Sequence, residues 1–349
     1  MEIFTMSKAA AFAPSYFTRI QFVLFVLALA TLMLPATALA QLTFLPGSDS
    51  AISANENTSV TPTTPAVNTP PSASDPYSAW DDPEGIAVDG IGNIWVTDVN
   101  LDNLYKIPYS GGSYSTPVLI DGDTLCNPYG VAVDGHGNVF VANSAISGLL
   151  FNNNACTENV VEYVGGVLAG KTVIGNTRAF TSPNGIAVDS SGNVYVADYG
   201  GGLFKISGST TTQIGSSGTT GNGSNDYAVI VDSSGNLYVS VFVSVGVQGT
   251  VYKETWNGGN SYTESVVSSA FVNPTGIALD PAGDLYVSDD NSLGAGFIYK
   301  FTPNGSGGFN SPSQLFTGLT VNGTAVERLT PEDVVLDNSG NFVILLIRP

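Results

Sequence analysis

Residues 183–198 read PNGIAVDSSGNVYVAD, in which two short runs of β-branched and aromatic residues flank a turn that contains Gly192. This pattern predicts a β-hairpin, because such residues favour strands and glycine supplies the positive φ that a tight turn needs. Both runs are apolar almost throughout, which indicates that both faces of each strand are buried between stacked sheets. The stretch therefore predicts the inner hairpin of an all-β fold.

Six copies of this stretch align without gaps, and their first aspartate returns at intervals of 43 to 57 residues. The copies occupy residues 83–98, 128–143, 183–198, 226–241, 274–289 and 331–346. Two further strand candidates follow each of the first five copies: 103–108 with 116–121, 159–164 with 171–175, 202–207 with 210–215, 250–255 with 262–267, and 297–302 with 313–318. Four-stranded antiparallel units at this spacing predict a six-bladed β-propeller.

The last blade poses a problem of closure. The sixth copy ends close to Pro349, which leaves no room for a third and a fourth strand. A hairpin with an unpaired edge invites aggregation. We expect the N-terminal segment QLTFL, residues 41–45, to return and complete this blade; the alternative is a truncated chain.

The first 40 residues have the organisation of a secretory signal peptide. Basic residues precede the apolar run 22–34, and Ala38 and Ala40 form a small-residue cleavage site. The run is shorter than the roughly 20 residues of a membrane-spanning helix. We therefore expect cleavage after Ala40 and a secreted, periplasmic or cell-surface protein. The competing interpretation is an uncleaved anchor, which would be the only contact with a membrane.

The rest of the chain divides into a linker and one large domain. Residues 41–79 are rich in Pro, Ser and Thr and carry few large apolar side chains, which predicts a flexible linker apart from the possible closing strand. Residues 80–349 form the propeller domain. This length is within the range of single all-β domains.

The charge balance excludes one class of partner. The chain has 10 lysines and arginines against 29 aspartates and glutamates. Because nucleic-acid binding depends on neutralising phosphates, we expect no nucleic-acid partner. An acidic surface suits a soluble protein, and we expect a monomer that binds a protein, a glycan or a cell-wall ligand.

The repeated phrase P-x-G-[IV]-A-V-D-x-x-G-N-[IVL]-[YWF]-V-x-[DN] resembles the NHL repeat, and the resemblance covers residues 83–349. It implies a propeller fold. NHL propellers include scaffolds, ligand-binding sensor domains and a few enzymes, so the resemblance alone does not fix a function.

Strand direction sorts the candidate residues between the two faces of the disc. In a four-stranded meander with strands a to d, the a–b and c–d turns share one face, and the b–c and d–a connections share the other. The first aspartate of each copy (Asp89, Asp134, Asp189, Asp232, Asp280, Asp337) opens the a–b turn, where it is expected to accept backbone hydrogen bonds. The spaced carboxylates of a calcium loop are missing there. His136, the single histidine, lies in one of these turns, away from the expected site.

The residue before each inner-strand glycine position is the main candidate for ligand binding, because it begins strand a at the mouth of the central channel. These residues are Glu84, Tyr129, Asn184, Tyr227, Thr275 and Glu332. The positions are similar to those that hold a catalytic divalent cation in the more distant regucalcin/gluconolactonase family. Glu84 and Asn184 resemble that pattern, and with Glu332, a third oxygen-bearing residue of the ring, they form the expected metal site, with calcium or another divalent cation as cofactor. A polar channel without any cofactor is the alternative, because both tyrosines and the threonine depart from the pattern.

A second ring closes strand b on the same face, farther from the axis. Its polar members are Asp98, Asn143, Asp198 and Asp289, which are expected to cap the b–c loop or, alternatively, to bind a ligand beside the first ring.

The two cysteines lie in the second repeat unit. In an exported chain Cys126 and Cys156 can form a disulfide, and two buried free thiols are the alternative. The connection geometry places both on the mouth face, so a bridge would hold the insertion 146–158 over the channel.

The sequence thus leads to two functional hypotheses. The first is a non-enzymatic, exported propeller that binds or scaffolds a partner through its loop face, since no nucleophile–base pair is evident. The second is a metal-dependent, lactonase-like hydrolase or lyase centred on the channel mouth.

Overall fold

The computed structural model describes most of the chain from Trp80 onward and a few strands before it. Backbone and side chains are described for residues 80–122, 124–144, 157–175, 179–215, 225–242, 248–290, 296–315, 331–338, 340 and 342–345. Only the backbone is described at residues 2–9, 24–25, 39–44, 52–53, 320–321, 324–325 and 346. Within these residues no helix is long and apolar enough to cross a bilayer.

Four short strands precede the propeller: β1 (Glu2–Ala9), β2 (Leu24–Phe25), β3 (Leu39–Phe44) and β4 (Ile52–Ser53). The first blade contains β5 (Pro83–Val88), β6 (Ile94–Asp98) and β7 (Asn103–Ile107), then a small ribbon of β8 (Tyr109–Ser110) and β9 (Ser113–Tyr114), then β10 (Val118–Asp121). The second contains β11 (Pro128–Val133), β12 (Val139–Asn143), β13 (Asn159–Tyr163), the 3-10 turns η1 (Val164–Gly166) and η2 (Leu168–Gly170), and β14 (Lys171–Ile174).

The next three blades follow the same plan. The third contains β15 (Pro183–Val188), β16 (Val194–Asp198), β17 (Gly202–Ser207) and β18 (Thr210–Gly215). The fourth contains β19 (Asp226–Val231), β20 (Leu237–Val241), β21 (Gly249–Gly258) and β22 (Ser261–Phe271). The fifth contains β23 (Pro274–Leu279), β24 (Leu285–Asp289), β25 (Phe297–Phe301) and β26 (Ser313–Leu315). Each blade is an antiparallel four-stranded sheet, as the repeat predicts.

The chain after the fifth blade departs from the prediction. β27 (Thr320–Val321) pairs with β28 (Thr324–Ala325) and with β4, whereas β29 (Pro331–Leu336) and β30 (Phe342–Leu346) belong to a five-stranded sheet of order β2-β3-β1-β30-β29. The prediction of six four-stranded blades is therefore wrong in its count, because only five of the described sheets have that form. The reason is that, among the described residues, the N-terminal strands β1 and β3 lie beside β30, where the repeat would place its own outer strands.

The expected closing segment is one strand away from its expected place. β1 lies against β30, from Glu2 opposite Leu346 to Met6 opposite Phe342. β3, which contains residues 41–44, pairs with the other edge of β1. Residue 45 and most of the predicted linker lie outside the described residues.

The first strands of the six repeat copies surround a central axis, in the order β5, β11, β15, β19, β23 and β29, and β29 lies next to β5. Strand b of each described blade is buried along its whole length, and the hydrophobic clusters lie between neighbouring sheets. Both faces of the inner strands are therefore covered, one by the neighbouring sheet on each side.

The glycine near the start of strand a is required by the close approach of adjacent inner strands. A Cβ at Gly185 would lie 2.6 Å from Ala228 Cα, and one at Gly130 would overlap the carbonyl oxygen of Asn184. Such distances are well inside van der Waals contact, so a larger residue would force the inner strands apart.

Candidate functional site

The aspartate that opens each a–b turn has a structural role. Asp189 Oδ1 accepts hydrogen bonds from the backbone N–H groups of Ser191 and Asn193, at 2.9 Å each. Its Oδ2 accepts from Asn193 Nδ2 at 2.7 Å and from the Tyr195 hydroxyl at 3.0 Å. Burial raises the pKa of Asp189, but these hydrogen bonds outweigh it and leave the pKa below its ordinary value. The same backbone contacts recur at Asp89, Asp134, Asp232 and Asp280.

The asparagine of this turn ties it to the neighbouring c–d turn. In the first blade Asn93 Nδ2 donates to Asp89 Oδ2 at 2.6 Å, while Asn93 Oδ1 accepts from the Tyr109 backbone N–H at 2.8 Å. Asn138 and Asn236 make the corresponding pairs of contacts in the second and fourth blades. This role of the asparagine was not predicted from the sequence, although the Gly-Asn pair that recurs in the a–b turns indicates it.

The described lysines are all engaged near aromatic rings. Each lies 5.0 to 5.7 Å from the centroid of a tryptophan or tyrosine ring: Lys106 over Trp95, Lys171 over Tyr163, Lys205 over Tyr195, Lys253 over Tyr238, and Lys300 over Tyr286. Lys171 also bridges to Asp121 at 2.7 Å and Lys300 to Asp284 at 3.1 Å. Among the described residues, these lysines therefore contact side chains within the blades, and none of them pairs with a mouth residue.

The second ring of predicted candidates is buried. Asp98, Asn143, Asp198 and Asp289 are each exposed by at most 4%. Their oxygens accept backbone N–H groups from the segment that leads into strand a of the same blade: Asp81 and Asp82, Cys126, Thr181 and Ser182, and Val272 and Asn273, respectively.

These contacts change the expected role of the second ring. The side chains mainly hold the d–a connection. Two further bonds reach the b–c loop, from Leu101 N–H to Asp98 and from Asn143 Nδ2 to the Thr157 carbonyl. Burial raises the pKa of Asp198 and of Asp289 to about 6, against the opposing effect of the backbone hydrogen bonds. With so little exposed surface, they present no oxygen to a ligand in this conformation.

The first ring divides into half-buried and fully buried members. Glu84, Tyr129, Tyr227 and Glu332 are half-buried. Thr275 is 1% exposed, and its hydroxyl donates to the carbonyl of Pro331 at 2.8 Å, which fastens the fifth blade to β29.

Asn184 is also buried, at 6% exposure, but its Oδ1 has no hydrogen-bond partner among the described residues. A buried amide oxygen normally has one. This ring position therefore has an unused acceptor.

A hydrogen bond crosses the ring at the mouth. The hydroxyl of Tyr227, in the fourth repeat copy, donates to Glu84 Oε2, in the first, at 3.2 Å. The two residues are 143 positions apart, and they come together only because the inner strands close around one axis.

The mouth carboxyls are in an unfavourable electrostatic environment. Burial, followed by repulsion from Asp82, raises the pKa of Glu84 to about 8. Burial, followed by repulsion from Glu84, raises the pKa of Glu332 to about 9. The pKa of Tyr129 rises to about 12 through burial and the nearby Glu84 charge. The two glutamates therefore lie within electrostatic reach of each other, and the described residues supply no cation between them.

The predicted metal ligands do not form a compact carboxylate centre. Within the described part of the chain, no three carboxylate, histidine or cysteine side chains lie close enough to bind one ion. Glu84 and Glu332 supply two oxygen ligands and Asn184 could supply a third, but Glu84 is already bonded to Tyr227. A cation at these residues remains a prediction from the sequence.

His136 lies on the opposite face. Its side chain is 85% exposed, and its Nδ1 is 3.8 Å from Asp134 Oδ2 in an a–b turn. It has no access to the mouth ring, so a catalytic role together with the mouth carboxyls is not supported by the geometry.

Comparison with known proteins agrees with this architecture. The sequence model of the NHL repeat matches residues 180–205, which contain the third copy of the hairpin. The chain carries an NHL repeat within a β-propeller. A search of curated protein sequences found no match.

Comparison with solved structures shows similarity of fold. A structural genomics protein of unknown function from Bacteroides thetaiotaomicron superposes with a TM-score of 0.56 and 13% identity, over 98% of this chain and 87% of that one. Virginiamycin B lyase from Staphylococcus aureus superposes with a TM-score of 0.48 and 15% identity, over 76% of this chain and 95% of that one. At such low identity these similarities concern the fold alone.

The region of the mouth face around Cys126 is only partly described. Cys126 is disulfide-bonded. Its predicted partner Cys156, the other cysteine of the chain, lies outside the described residues, as do residues 146–156 of the predicted insertion.

Proposed function

We propose that this NHL propeller is an exported, non-enzymatic binding module that recognises a protein, glycan or cell-wall ligand at the mouth of its central channel. The observation that carries the proposal is the pair of half-buried glutamates, Glu84 and Glu332, which lie on the adjacent inner strands β5 and β29 within electrostatic reach of each other and have no basic partner among the described residues. Carboxyl groups whose pKa is raised by burial and like charges cost stability at neutral pH, which argues for a use other than holding the fold.

The chemistry of the mouth suits recognition better than turnover. Tyr227 and Tyr129 offer flat rings with a hydroxyl, a combination that binds sugars and peptides with little loss of conformational freedom. Catalysis by a nucleophile would need a base within hydrogen-bond reach, and the single histidine lies on the other face. The Tyr227 hydroxyl also occupies one oxygen of Glu84, which the lactonase-like alternative would need for its cation.

Cleavage of the signal peptide would change which strand lies beside the sixth repeat copy. Cleavage after Ala40 would remove β1, which pairs with β30, and would leave residues 41–44 of β3. We propose that this remaining segment then pairs with β30 and makes the last sheet the sixth blade. Deleting residues 41–45 from the secreted protein should then lower its melting temperature, whereas deleting residues 54–58 of the linker should not.

Binding to panels of glycans and peptides tests the recognition proposal. Tyr227→Phe removes one hydroxyl from the mouth and Glu332→Gln replaces one carboxyl group there by an amide, while His136→Ala changes an exposed residue on the opposite face. We expect wild type and His136→Ala to bind the same panel members, and both mouth variants to lose them. Equal binding by all four proteins would contradict recognition at the mouth.

A parallel assay separates the enzymatic alternative. Wild-type protein is incubated with a panel of lactones in the presence and absence of calcium, and Glu84→Gln is the control. We expect no turnover. Calcium-dependent hydrolysis that Glu84→Gln abolishes would establish the lactonase-like function instead.

A further inference from the structure

Below the mouth ring lies a central channel of about 320 Å³ that none of the mouth side chains lines. Its wall is built from the inner strands β5, β11, β15, β19, β23 and β29. Except for Asp333, every residue of this wall is glycine, alanine, valine, leucine or isoleucine. The volume is at the lower end of the range of small-molecule sites, and aliphatic walls give water few hydrogen-bond partners.

The channel has one closed and one open end. At the mouth, the Tyr227–Glu84 hydrogen bond spans the ring. At the other end the inner strands finish at the a–b turns, where their last residues are half-buried: Val88, Val133, Val188, Val231, Leu279 and Leu336. A ligand would therefore enter from the turn face, and Asp333 would lie at the far end of its path.

Asp333 stands at a repeat position that needs no acid. The corresponding residues in the other copies are glycines and Ala228, because the neighbouring inner strand comes so close. Asp333 Oδ2 accepts the backbone N–H of Ile86 at 3.1 Å, and Oδ1 accepts that of Val334 at 2.8 Å. These bonds fasten β29 to β5, but a carboxylate has about four acceptor sites, so half of its capacity remains.

The charge of Asp333 has no basic partner among the described residues. Among the described residues no ion pair includes Asp333, and each described lysine lies over an aromatic ring of its own blade. A buried charge without a counter-charge is expensive. Within the described chain no group of three or more His, Cys, Asp or Glu side chains that could hold a metal ion includes Asp333, and aliphatic walls do not suit a hydrated ion.

We propose that the channel binds a primary alkylammonium, with the ammonium group on the Asp333 carboxylate and the alkyl chain along the aliphatic walls toward the a–b turns. The path from Asp333 to Leu336 spans three residues of an extended strand, or about 10 Å. That length suits a medium-length unbranched chain. Asp333 lies within electrostatic reach of Glu84 and Glu332, but the channel lining includes none of the mouth side chains, so the inference does not depend on the proposed function.

Calorimetric titration of the full-length protein tests the inference. The probe is octylammonium chloride, and octan-1-ol is the matched neutral probe. We expect octylammonium to bind at least about tenfold more tightly than octan-1-ol, because its ammonium gains a charge-assisted hydrogen bond. Equal affinities, or no binding of octylammonium, would overturn the proposal without any variant.

Two variants locate the site. Asp333→Asn keeps the shape and one acceptor but removes the charge, and it should weaken octylammonium binding about tenfold while leaving octan-1-ol unchanged. Val133→Trp places a large ring at the open end and should weaken both probes. Unchanged octylammonium affinity in either folded variant would overturn the proposal, while loss of panel binding at the mouth would bear only on the proposed function.

Discussion

The two ends of the inner strands carry carboxylates in opposite situations. At the turn end, Asp189 accepts four hydrogen bonds, which keep its pKa below the ordinary value. At the mouth end, burial and then repulsion from Asp82 raise the pKa of Glu84 to about 8, and burial and then repulsion from Glu84 raise that of Glu332 to about 9. The turn end repeats from copy to copy, whereas the mouth end varies. The repeated acids of the turn end therefore stabilise the fold, whereas the varied acids of the mouth end are available for a ligand.

Glycine substitutions should give the largest contrast between the two ends. Gly130→Ala puts a Cβ into the carbonyl of Asn184, whereas a Cβ at Gly135, in the turn of the same copy, meets no atom within 4 Å. We expect Gly130→Ala to lower the free energy of unfolding by about 1–3 kcal/mol. Gly135→Ala should change it by less than about 0.5 kcal/mol. Urea unfolding measures both, and equal effects would mean that the inner strands do not approach as closely as described.

Removing a turn carboxylate should be the next largest effect. Asp189→Asn turns one acceptor into a donor that faces Asn193 Nδ2 and the Tyr195 hydroxyl, so we expect a loss of about 1–3 kcal/mol at pH 7. Because the native pKa is lowered, this contribution is present above the unfolded pKa of about 4 and disappears as the pH falls through the native value. Ser190→Ala, at an exposed position of the same turn, is the control and should have little effect.

Neutralising a mouth carboxylate should act in the opposite direction. The pKa of Glu332 is about 9 in the folded protein against an ordinary 4.5, so the native state binds the extra proton throughout this window and stability falls as the pH rises through it. Glu332→Gln should therefore increase the free energy of unfolding by about 1–2 kcal/mol at pH 7, with no gain below pH 4.5. Urea unfolding at several pH values measures this, with Glu162→Gln on β13 as the control. A less stable Glu332→Gln at pH 7 would contradict it.

A like-charge pair far from the mouth should give the smallest effect. Glu254 and Glu264 are opposite each other on β21 and β22, and burial, then repulsion from Glu264, raises the pKa of Glu254 to about 7. Glu264→Gln should add about 0.5 kcal/mol at pH 8 and nothing at pH 4. Glu264 is half-buried, so water screens the pair. A gain in the free energy of unfolding larger than that of Glu332→Gln would contradict the stronger destabilisation assigned to the mouth carboxyls.

Much of the fold was accessible from the sequence because the repeat is local. The a–b turns and their aspartates behave as predicted, and the strand candidates 202–207 and 210–215 coincide with β17 and β18. The five-stranded last sheet was not predicted, because its pairing joins residues at opposite ends of the chain, as between Met6 and Phe342.

The candidate site was less accessible, for the same reason. The ring position of Glu84 and Tyr227 follows from the repeat, but their hydrogen bond joins blades that are 143 residues apart. Asp333 was not predicted, because it occupies the glycine position of the repeat, one residue after the ring position of Glu332. The aspartates that end strand b were placed on the correct face, but the segment they hold depends on tertiary contacts, as between Asp198 and Thr181.

The most direct test of the contrast is the free energy of unfolding of Asp189→Asn and Glu332→Gln, measured beside wild type in one urea series at pH 7. The two substitutions are chemically alike, since each replaces a carboxylate by its amide. The described contacts predict opposite signs, with Asp189→Asn less stable and Glu332→Gln more stable than wild type. A loss of stability in both variants would show that the mouth carboxylates hold the fold, and would contradict their assignment to ligand binding.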